Sequence, residues 1–470
     1  MKTLLLLILF WPGILFAQVE LNLKICREMA LQSSKEMEIA DRQQQKARFE
    51  TKSYRADYLP KLSVVGLGFY NQKKYNYKLK GGYLPTYKPD ESGKLEPNVM
   101  IDPETQKPVI GPDGNPVFNE YAFLPDIRLQ LNMRGVYTAG VQLEQPIYMG
   151  GKVRAAHQMA KMGEDMAGEN LRMNRSEILL SADEAYWQLL RVREQVVAAE
   201  KYKAVVKELL KNLQEAKQVG MVNSNEVLKA QVRYNEASLM LQKAENGAVL
   251  ARMNLCRVVG LDLQTEVRLQ DSLTETVDPQ IWKLDSAVSQ RPDYNLLMQE
   301  VDLKGRQVAL TRSDFLPQIG VSAAYGYGGG LKLNGDDESN ATFSAMAAVR
   351  IPVFHWGEGR NKVRSARMEE EISQLNLEKS AELMRLEITS SRFNIKDAES
   401  RVEMARNALQ QAWENLTVST NQHQVGLENL TALLEAQAQW QQAWSQWIDA
   451  KTLLHLSESA YLKAIGKLDQ

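Results

Sequence analysis

The chain has 470 residues, with 57 basic against 58 acidic side chains, a formal net charge of −1, two cysteines and four histidines. That balance leaves no basic footprint for nucleic acid, and so few cysteines and scattered histidines supply neither a disulfide framework nor a metal cluster. With no Gly-rich phosphate loop and no nucleophile elbow, the sequence gives no foothold for catalysis and implies no cofactor.

The first residues read as an export signal, 1–17. Lys2 supplies the charged start, Leu4 to Phe16 the apolar stretch, and Ala17 before Gln18 the cleavage point. This run is too short to span a membrane as a helix and holds Pro12. No cysteine follows closely enough for lipid attachment, and no later apolar run is long enough for a transmembrane helix. Cys26 and Cys256 read as unpaired core thiols, although an exported chain permits them to pair.

From there the chain is organised by an internal repeat. Gln218-Val219-Gly220-Met221-Val222-Asn223 returns 206 residues later as Gln424-Val425-Gly426-Leu427-Glu428-Asn429. The same offset maps Gln145-Pro146-Ile147-Tyr148 onto Ile351-Pro352-Val353-Phe354, and Val259-Gly260 onto Ile465-Gly466. A second offset, 257, maps Asp57-Tyr58-Leu59-Pro60 onto Asp314-Phe315-Leu316-Pro317. The two offsets differ by 51 residues, all of them inserted in copy one between Pro60 and Pro146. Copy one occupies 18–260, a linking segment 261–292, and copy two 293–470.

Proline and glycine place the elements. Eight of the 15 prolines fall in the insertion of copy one, none lies between Pro146 and Pro279, and none follows Pro352. Proline inside a helix costs about 3 kcal/mol, so the proline-free runs are where long helices go. Gly220 and Gly426 supply the left-handed turns that end helices. The expected helices are 152–218 and 226–258, then 360–424 and 431–465. The first is about 100 Å long at 1.5 Å per residue, which demands lateral partners.

The returning helices carry the partner code. Val227, Ala230, Tyr234, Ala237, Leu241, Ala244, Ala248, Ala251, Leu255 and Val258 are spaced three and four apart. So are Leu433, Ala436, Trp440, Ala443, Trp447, Ala450, Leu454, Ser457, Tyr461 and Ala464. A seven-residue period held this long predicts packed coiled coils.

Strands are expected near 62–72 and 127–148, and near 319–328 and 341–354. Along the second, the odd positions Ile127, Leu129, Leu131, Met133, Gly135, Tyr137, Ala139, Val141 and Leu143 alternate with the even positions Arg128, Gln130, Asn132, Arg134, Val136, Thr138, Gly140, Gln142 and Glu144. In copy two Ala341, Phe343, Ala345, Ala347 and Val349 oppose Thr342, Ser344 and Arg350. Tyr148, Phe354 and Trp356 sit at strand ends, where aromatic residues favour membrane interfaces. Strands of this length in an exported chain predict a β membrane segment. Four strands cannot close a barrel and open edges are not tolerated in lipid, so other chains must complete the sheet.

These marks resemble the TolC-like outer-membrane efflux proteins. The resemblance rests on Tyr58-Leu59-Pro60 and Phe315-Leu316-Pro317, on Gln145 to Gly151 with Lys152 and Arg154, and on the paired Val-Gly tips. It covers the mature chain. It implies a mixed α and β membrane protein: a homotrimer with a 12-stranded outer-membrane β-barrel continued by a periplasmic α-helical coiled-coil tunnel. The segment 261–292 and both chain ends would belt the tunnel. It further implies a passive exit duct in outer-membrane lipid, docked by a periplasmic adaptor and an inner-membrane pump. The hairpin tips would meet the adaptor through Gly220, Met221, Val222 and Asn223, with Gly426, Leu427, Glu428 and Asn429.

The family commonly places acids just after both tip glycines. Here the sixth residue after glycine is Glu226 in copy one and Ala432 in copy two, and the ninth is Lys229 and Glu435. Glu226, Lys229 and Glu435 are therefore the candidate periplasmic gate, and Arg128, Arg134 and Arg350 the candidate lumen cations. The bland alternative for the gate charges is a solvated helix face, and His423 reads as a plain polar residue. Two other functions stay open: the outer component of a type I protein secretion system, and a periplasmic coiled-coil scaffold without a pore.

Overall fold

The expected long helices form where proline is absent. A computed structural model describes residues 19–468 apart from 275, 277, 285 and 338, so the expected signal at 1–17 lies outside the described residues. The helices are α1 (Leu23–Ser33), α2 (Lys35–Ala56), α3 (Lys152–Gln218), α4 (Ser224–Val259), α5 (Pro292–Ser313), α6 (Glu358–Gln424) and α7 (Leu430–Ala464). The strands are β1 (Val19–Leu21), β2 (Lys61–Phe69), β3 (Lys74–Leu79), β4 (Gly82–Pro85), β5 (Tyr87–Pro89), β6 (Leu95–Pro97), β7 (Tyr121–Leu124), β8 (Ile127–Asn132), β9 (Val136–Met149), β10 (Val267–Leu269), β11 (Gln318–Gly329), β12 (Lys332–Leu333), β13 (Asp336–Asp337) and β14 (Asn340–Arg350). The repeat holds to the residue: α3 shifted by 206 is α6, and α2 shifted by 257 is α5. The chain divides into a helical unit, Met1–Arg55 with Gly151–Asp314 and His355–Gln470, and a β unit, Ala56–Gly150 with Phe315–Phe354.

In the helical unit α4 packs on α3, α3 on α7 and α7 on α6. Burial follows that order. α3 buries 18 of its 67 residues and α7 buries 17 of 35, whereas α4 buries five of 36 and α6 ten of 67. The middle pair is thus interior, and the outer pair has one covered face each. The heptad stripe of α4 is the covered face: Ala230, Ala237 and Leu255 are buried and the other stripe residues are half-buried. α7 buries its stripe and a second one, because it has neighbours on both sides.

The second stripe is polar, and no seven-residue pattern announces it. Asp183, fully buried on α3, accepts from Arg27 Nε at 2.6 Å, Arg27 Nη2 at 2.5 Å and Ser459 Oγ at 2.6 Å. One carboxylate therefore joins α1, α3 and α7. Tyr186 donates to Asp271 at 2.5 Å. His455 stacks on Trp187 with ring centres 4.1 Å apart and lies 3.1 Å from Thr274 Oγ1. The linking segment and the N-terminal strand are held at the same level, where β1 pairs with β10 in parallel. These contacts meet the middle third of α3.

Cys26 and Cys256 are buried free thiols in one apolar cluster with Leu21, Tyr186, Leu189, Leu255 and Val267. Burial pushes the Cys26 thiol up to about 12, with the Asp271 and Asp183 carboxylates adding to the shift. Where α5 begins, Arg291 binds Asp293 and Glu387 at 2.8 Å each and donates to the Ala464 carbonyl at 2.9 Å. Burial works against ionisation of Asp293, but the Arg291 guanidinium outweighs it and holds the carboxyl below its usual range.

In the β unit four strands form one antiparallel sheet in the order β14-β11-β9-β2. The register puts Leu62, Val141, Leu143, Tyr325 and Phe343 on one face, with Ser63, Gln142, Glu144, Ser322 and Ser344 on the other. Pro146 is accommodated because the β2 ladder ends at Lys61 opposite Glu144, leaving β9 a single neighbour there.

Two expectations are corrected. The strand expected at 127–148 is two strands. Gly135, with φ +74°, turns the chain between β8 and β9. Within the insertion β3 pairs with β8 along six residues, and β4 with β7 and β5 with β6 extend the ribbon. Between the two ladders, four residues after Phe69 face three before Val136, which is a bulge rather than a chain break. Asp90, Asp102 and Asp113 close its turns by accepting backbone N–H bonds from the residues that follow. The last strand stops at Arg350, just before Pro352, instead of reaching 354.

Candidate functional site

Two surfaces carry the functional candidates, the hairpin tips of the helical unit and the faces of the sheet. At the first tip α3 ends in a paired cap. Gly220, at φ +79°, donates to the Lys217 carbonyl at 3.0 Å and Met221 donates to Ala216 at 2.9 Å. Asn223 then opens α4 by accepting the Glu226 amide at 3.0 Å. The second tip repeats every step. Gly426, at φ +74°, donates to His423 at 3.1 Å, Leu427 to Gln422 at 2.8 Å, and Asn429 accepts from Ala432 at 2.9 Å. Glycine is required at both turns because a side chain there would be strained.

With their backbone groups satisfied inside the turn, the tips present side chains. Met221 and Leu427, at matching positions, are 79% and 80% exposed. Val219 and Val425, part of the tip motif but not among the expected adaptor contacts, are exposed beside them. Their signal was available as an apolar residue repeated at the offset. Val222 and Leu430 pack inward, into the cluster that contains Leu213, Ala230, Leu416 and Leu433. Both tips therefore end one packed body. They differ at one contact: His423 Nδ1 lies 3.0 Å from the Glu428 carbonyl, where copy one has Lys217. A carbonyl only accepts, so Nδ1 carries the proton.

Glu226 occupies the first turn of α4, where a carboxylate is favoured by the helix dipole. Lys229 and Glu435 are exposed. Among the described residues of one chain no ion pair joins Lys229 to Glu435. The lumen candidates separate. Arg350 lies in β14 on the polar face with Thr342 and Ser344. Arg128 pairs with Lys78 in the β3–β8 ribbon, and Arg134 sits in the Gly135 turn, donating to the Gln72 carbonyl at 3.3 Å. Neither belongs to the four-stranded sheet.

The sheet's apolar face is covered by nothing among the described residues: Val64 is 83% exposed and Phe343 is 68% exposed. No helix among the described residues is long and apolar enough to cross a membrane. The chain thus combines a two-faced sheet, its apolar side uncovered among the described residues, with a helical repeat that ends in two capped hairpins. Residues 117–261 and 284–467 match the family model described as outer membrane efflux protein. The chain belongs to the outer membrane efflux protein family, which places it in the outer membrane with a large periplasmic part and makes it a transport protein rather than an enzyme.

Relatives and structures are distant. The alkaline protease secretion protein AprF of Pseudomonas aeruginosa is 24% identical over 248 residues, covering 52% of this chain and 51% of its own length. The chain thus spans about half of that relative. The outer membrane efflux protein BepC of Brucella suis biovar 1 is 21% identical over 331 residues, covering 70% and 72%. The crystal structure of the Campylobacter jejuni CmeC outer membrane channel aligns with a TM-score of 0.69 at 18% identity, over 95% of this chain and 85% of that one.

Proposed function

We propose that three copies of this chain assemble into a passive exit duct through the outer membrane, serving a tripartite efflux pump. One observation carries the reading. The four-stranded sheet ends in two edges, β2 and β14, that pair with no further strand among the described residues, and its apolar face is open. Lipid forbids such edges, so copies must close them, and three copies give a 12-stranded barrel. The flanks of the helical layer agree. Leu228, Val232 and Leu239 on α4, and Leu383, Leu386 and Phe393 on α6, are exposed apolar residues at helical spacing. α4 of one copy against α6 of the next is a heterologous contact that closes a ring. The helical layer then forms a periplasmic tunnel, with 261–292 and the chain ends as its belt.

In this assembly Arg350 lines the barrel lumen. Gly220, Met221, Val222 and Asn223, with Gly426, Leu427, Glu428 and Asn429, meet the periplasmic adaptor that joins the duct to an inner-membrane pump. Glu226 and Glu435 narrow the entrance, and Lys229 reaches Glu435 of a neighbouring copy. A second reading, the outer component of a type I protein secretion system, is favoured by the similarity to a protein named for alkaline protease secretion. The duct is tested in planar bilayers. Purified protein should give discrete, long-lived conductance steps; protein that extracts without detergent and never conducts is the poreless scaffold.

A further inference from the structure

The insertion of copy one begins and ends in an amphipathic ribbon. β3 and β8 are paired so that Lys74, Asn76 and Lys78 lie opposite Asn132, Gln130 and Arg128. Tyr75, Tyr77 and Leu79 lie opposite Leu131, Leu129 and Ile127. Opposed residues of an antiparallel pair share a face and successive residues alternate, so one face of β3–β8 is polar throughout and the other apolar throughout. β4 and β7 follow, with Tyr83 opposite Phe123 and their ring centres 5.3 Å apart. Nothing among the described residues covers these aromatic side chains: Tyr77 is 68% exposed and Tyr83 72%.

Charge is divided along the insertion as well as across it. Residues 73–80 and 126–134 hold six basic side chains and one acid, Asp126, which pairs with Lys78 at 3.0 Å. Residues 81–125 hold three basic side chains and seven acids. The base of the insertion is therefore cationic and its tip anionic. Connectivity sets the depth of that base. The chain passes from α2 into the Lys61 end of β2, and from the Met149 end of β9 into α3. The ribbon continues from the opposite ends of these strands, at Phe69 and Val136. β2 has nine residues, enough to cross the hydrocarbon core of a membrane. The ribbon thus begins where headgroups begin. Odd positions are apolar on β8 as they are on β9, so the alternation of the sheet's uncovered apolar side carries into the ribbon without a change of phase.

We propose that the base of this ribbon lies on the outer leaflet and binds phosphate-bearing lipid headgroups there. A two-stranded ribbon is marginal in water on its own. Burying the Tyr77 and Leu129 side at the boundary of headgroups and acyl chains supplies the missing cover, and tyrosine favours that depth. Lys74, Lys80 and Arg128 then stand among lipid phosphates, where each basic side chain adds to binding. A second ribbon would cover the tyrosines but bring two cationic bases together; a phosphate-bearing leaflet satisfies both sides. The inference rests on the outer-membrane location and not on the number of copies.

Hydrogen exchange of the full-length protein in lipid nanodiscs, read by mass spectrometry over 74–88 and 120–132, is the test. Discs of phosphatidylcholine are compared with discs of equal parts phosphatidylcholine and phosphatidylglycerol. Ribbon amides should exchange about tenfold more slowly in the anionic discs, with those of β9 unchanged. Lys74→Gln with Lys80→Gln, both exposed positions, should remove most of that difference. Tyr77→Ser with Leu129→Ser should remove the protection in both discs. Should the apolar variant unfold the ribbon, the lysine variant and the lipid comparison decide alone. Inositol hexakisphosphate added to neutral discs supplies soluble phosphate and should protect nothing. Equal exchange in the two discs, whether fast or slowed by ribbons covering one another, overturns the proposal, as does full protection by the soluble phosphate.

Discussion

The two copies of the repeat share their helix bounds, caps and turns, yet they use them in opposite ways. In copy one the long helix α3 is interior and the returning helix α4 is a flank; in copy two the long helix α6 is the flank and α7 is interior. The strands follow the same rule. β2 is an edge and β9 interior in copy one, whereas β11 is interior and β14 an edge in copy two. Position in the layer, then, decides how each face is used, while the repeat decides only where each element starts and stops. It also gives one chain two unlike edges, which is the geometry a closed ring of identical copies needs.

The largest test breaks the interior. Asp183→Ala removes the carboxylate that joins α1, α3 and α7 and leaves Arg27 without its partner, an effect of about 3–5 kcal/mol when a buried pair loses one member. Thermal unfolding should fall sharply, and Asp183→Asn should recover part of the loss by keeping the Ser459 bond.

The next test separates the faces of an interior strand. Val141→Arg puts a charge on the uncovered apolar face and should cost about 2–4 kcal/mol at membrane depth, whereas Gln142→Arg on the polar face should cost little. Yield of heat-resistant oligomer in outer-membrane fractions reads the difference, and equal yields would break the assignment of the faces.

At the flanks, Phe393→Glu or Leu239→Glu should leave a single chain folded and weaken only its contact with the next. Burying such an apolar side chain contributes about 1.5–3 kcal/mol. Circular dichroism should be unchanged while the oligomer dissociates in detergent.

A smaller effect is expected of pH. The Asp293 carboxyl is held below its usual range in the folded chain, mainly against burial and by virtue of Arg291. Its contribution is present above the unfolded carboxylate value and is lost as pH falls through the lowered one. Asp293→Asn should therefore lower stability near neutrality, where the contribution is fully present, and flatten the acid limb of a stability–pH curve below about pH 4, where variant and parent converge. The smallest effect is at the tips. Lys229→Glu would break the exposed pair proposed with Glu435 of a neighbouring copy, worth about 0–1 kcal/mol, so it should raise single-channel conductance modestly. Glu226→Gln with Glu435→Gln should lower cation selectivity, and unchanged currents in both variants would make these charges a solvated face.

Much of this was legible in residues. Proline-free runs closed by Gly220 and Gly426 gave both long helices to the residue at their C-terminal ends, because a left-handed turn at a helix end leaves a one-residue signature. The gap between β8 and β9 was not legible. Apolar residues fall on odd positions on both sides of Gly135, from Leu131 to Tyr137, so alternation runs through the turn unchanged. The same unbroken alternation makes Arg128 and Arg134 read as part of the sheet. The ribbon in the insertion was hidden by its prolines, which sit in turns and at strand ends. The Asp183 network was hidden by distance: its partners lie 156 and 276 residues away in sequence, and no local pattern joins them. At the tips, residue identity and capping were readable, but which charges face one another depends on neighbouring copies.

Native mass spectrometry of the detergent-extracted protein tests the central claim most directly, that two unlike edges of one chain are closed by copies of itself. A single species of three chains, reduced to one chain by Phe393→Glu, is the predicted result. A monomer that retains its helical content and stays intact in lipid would contradict it.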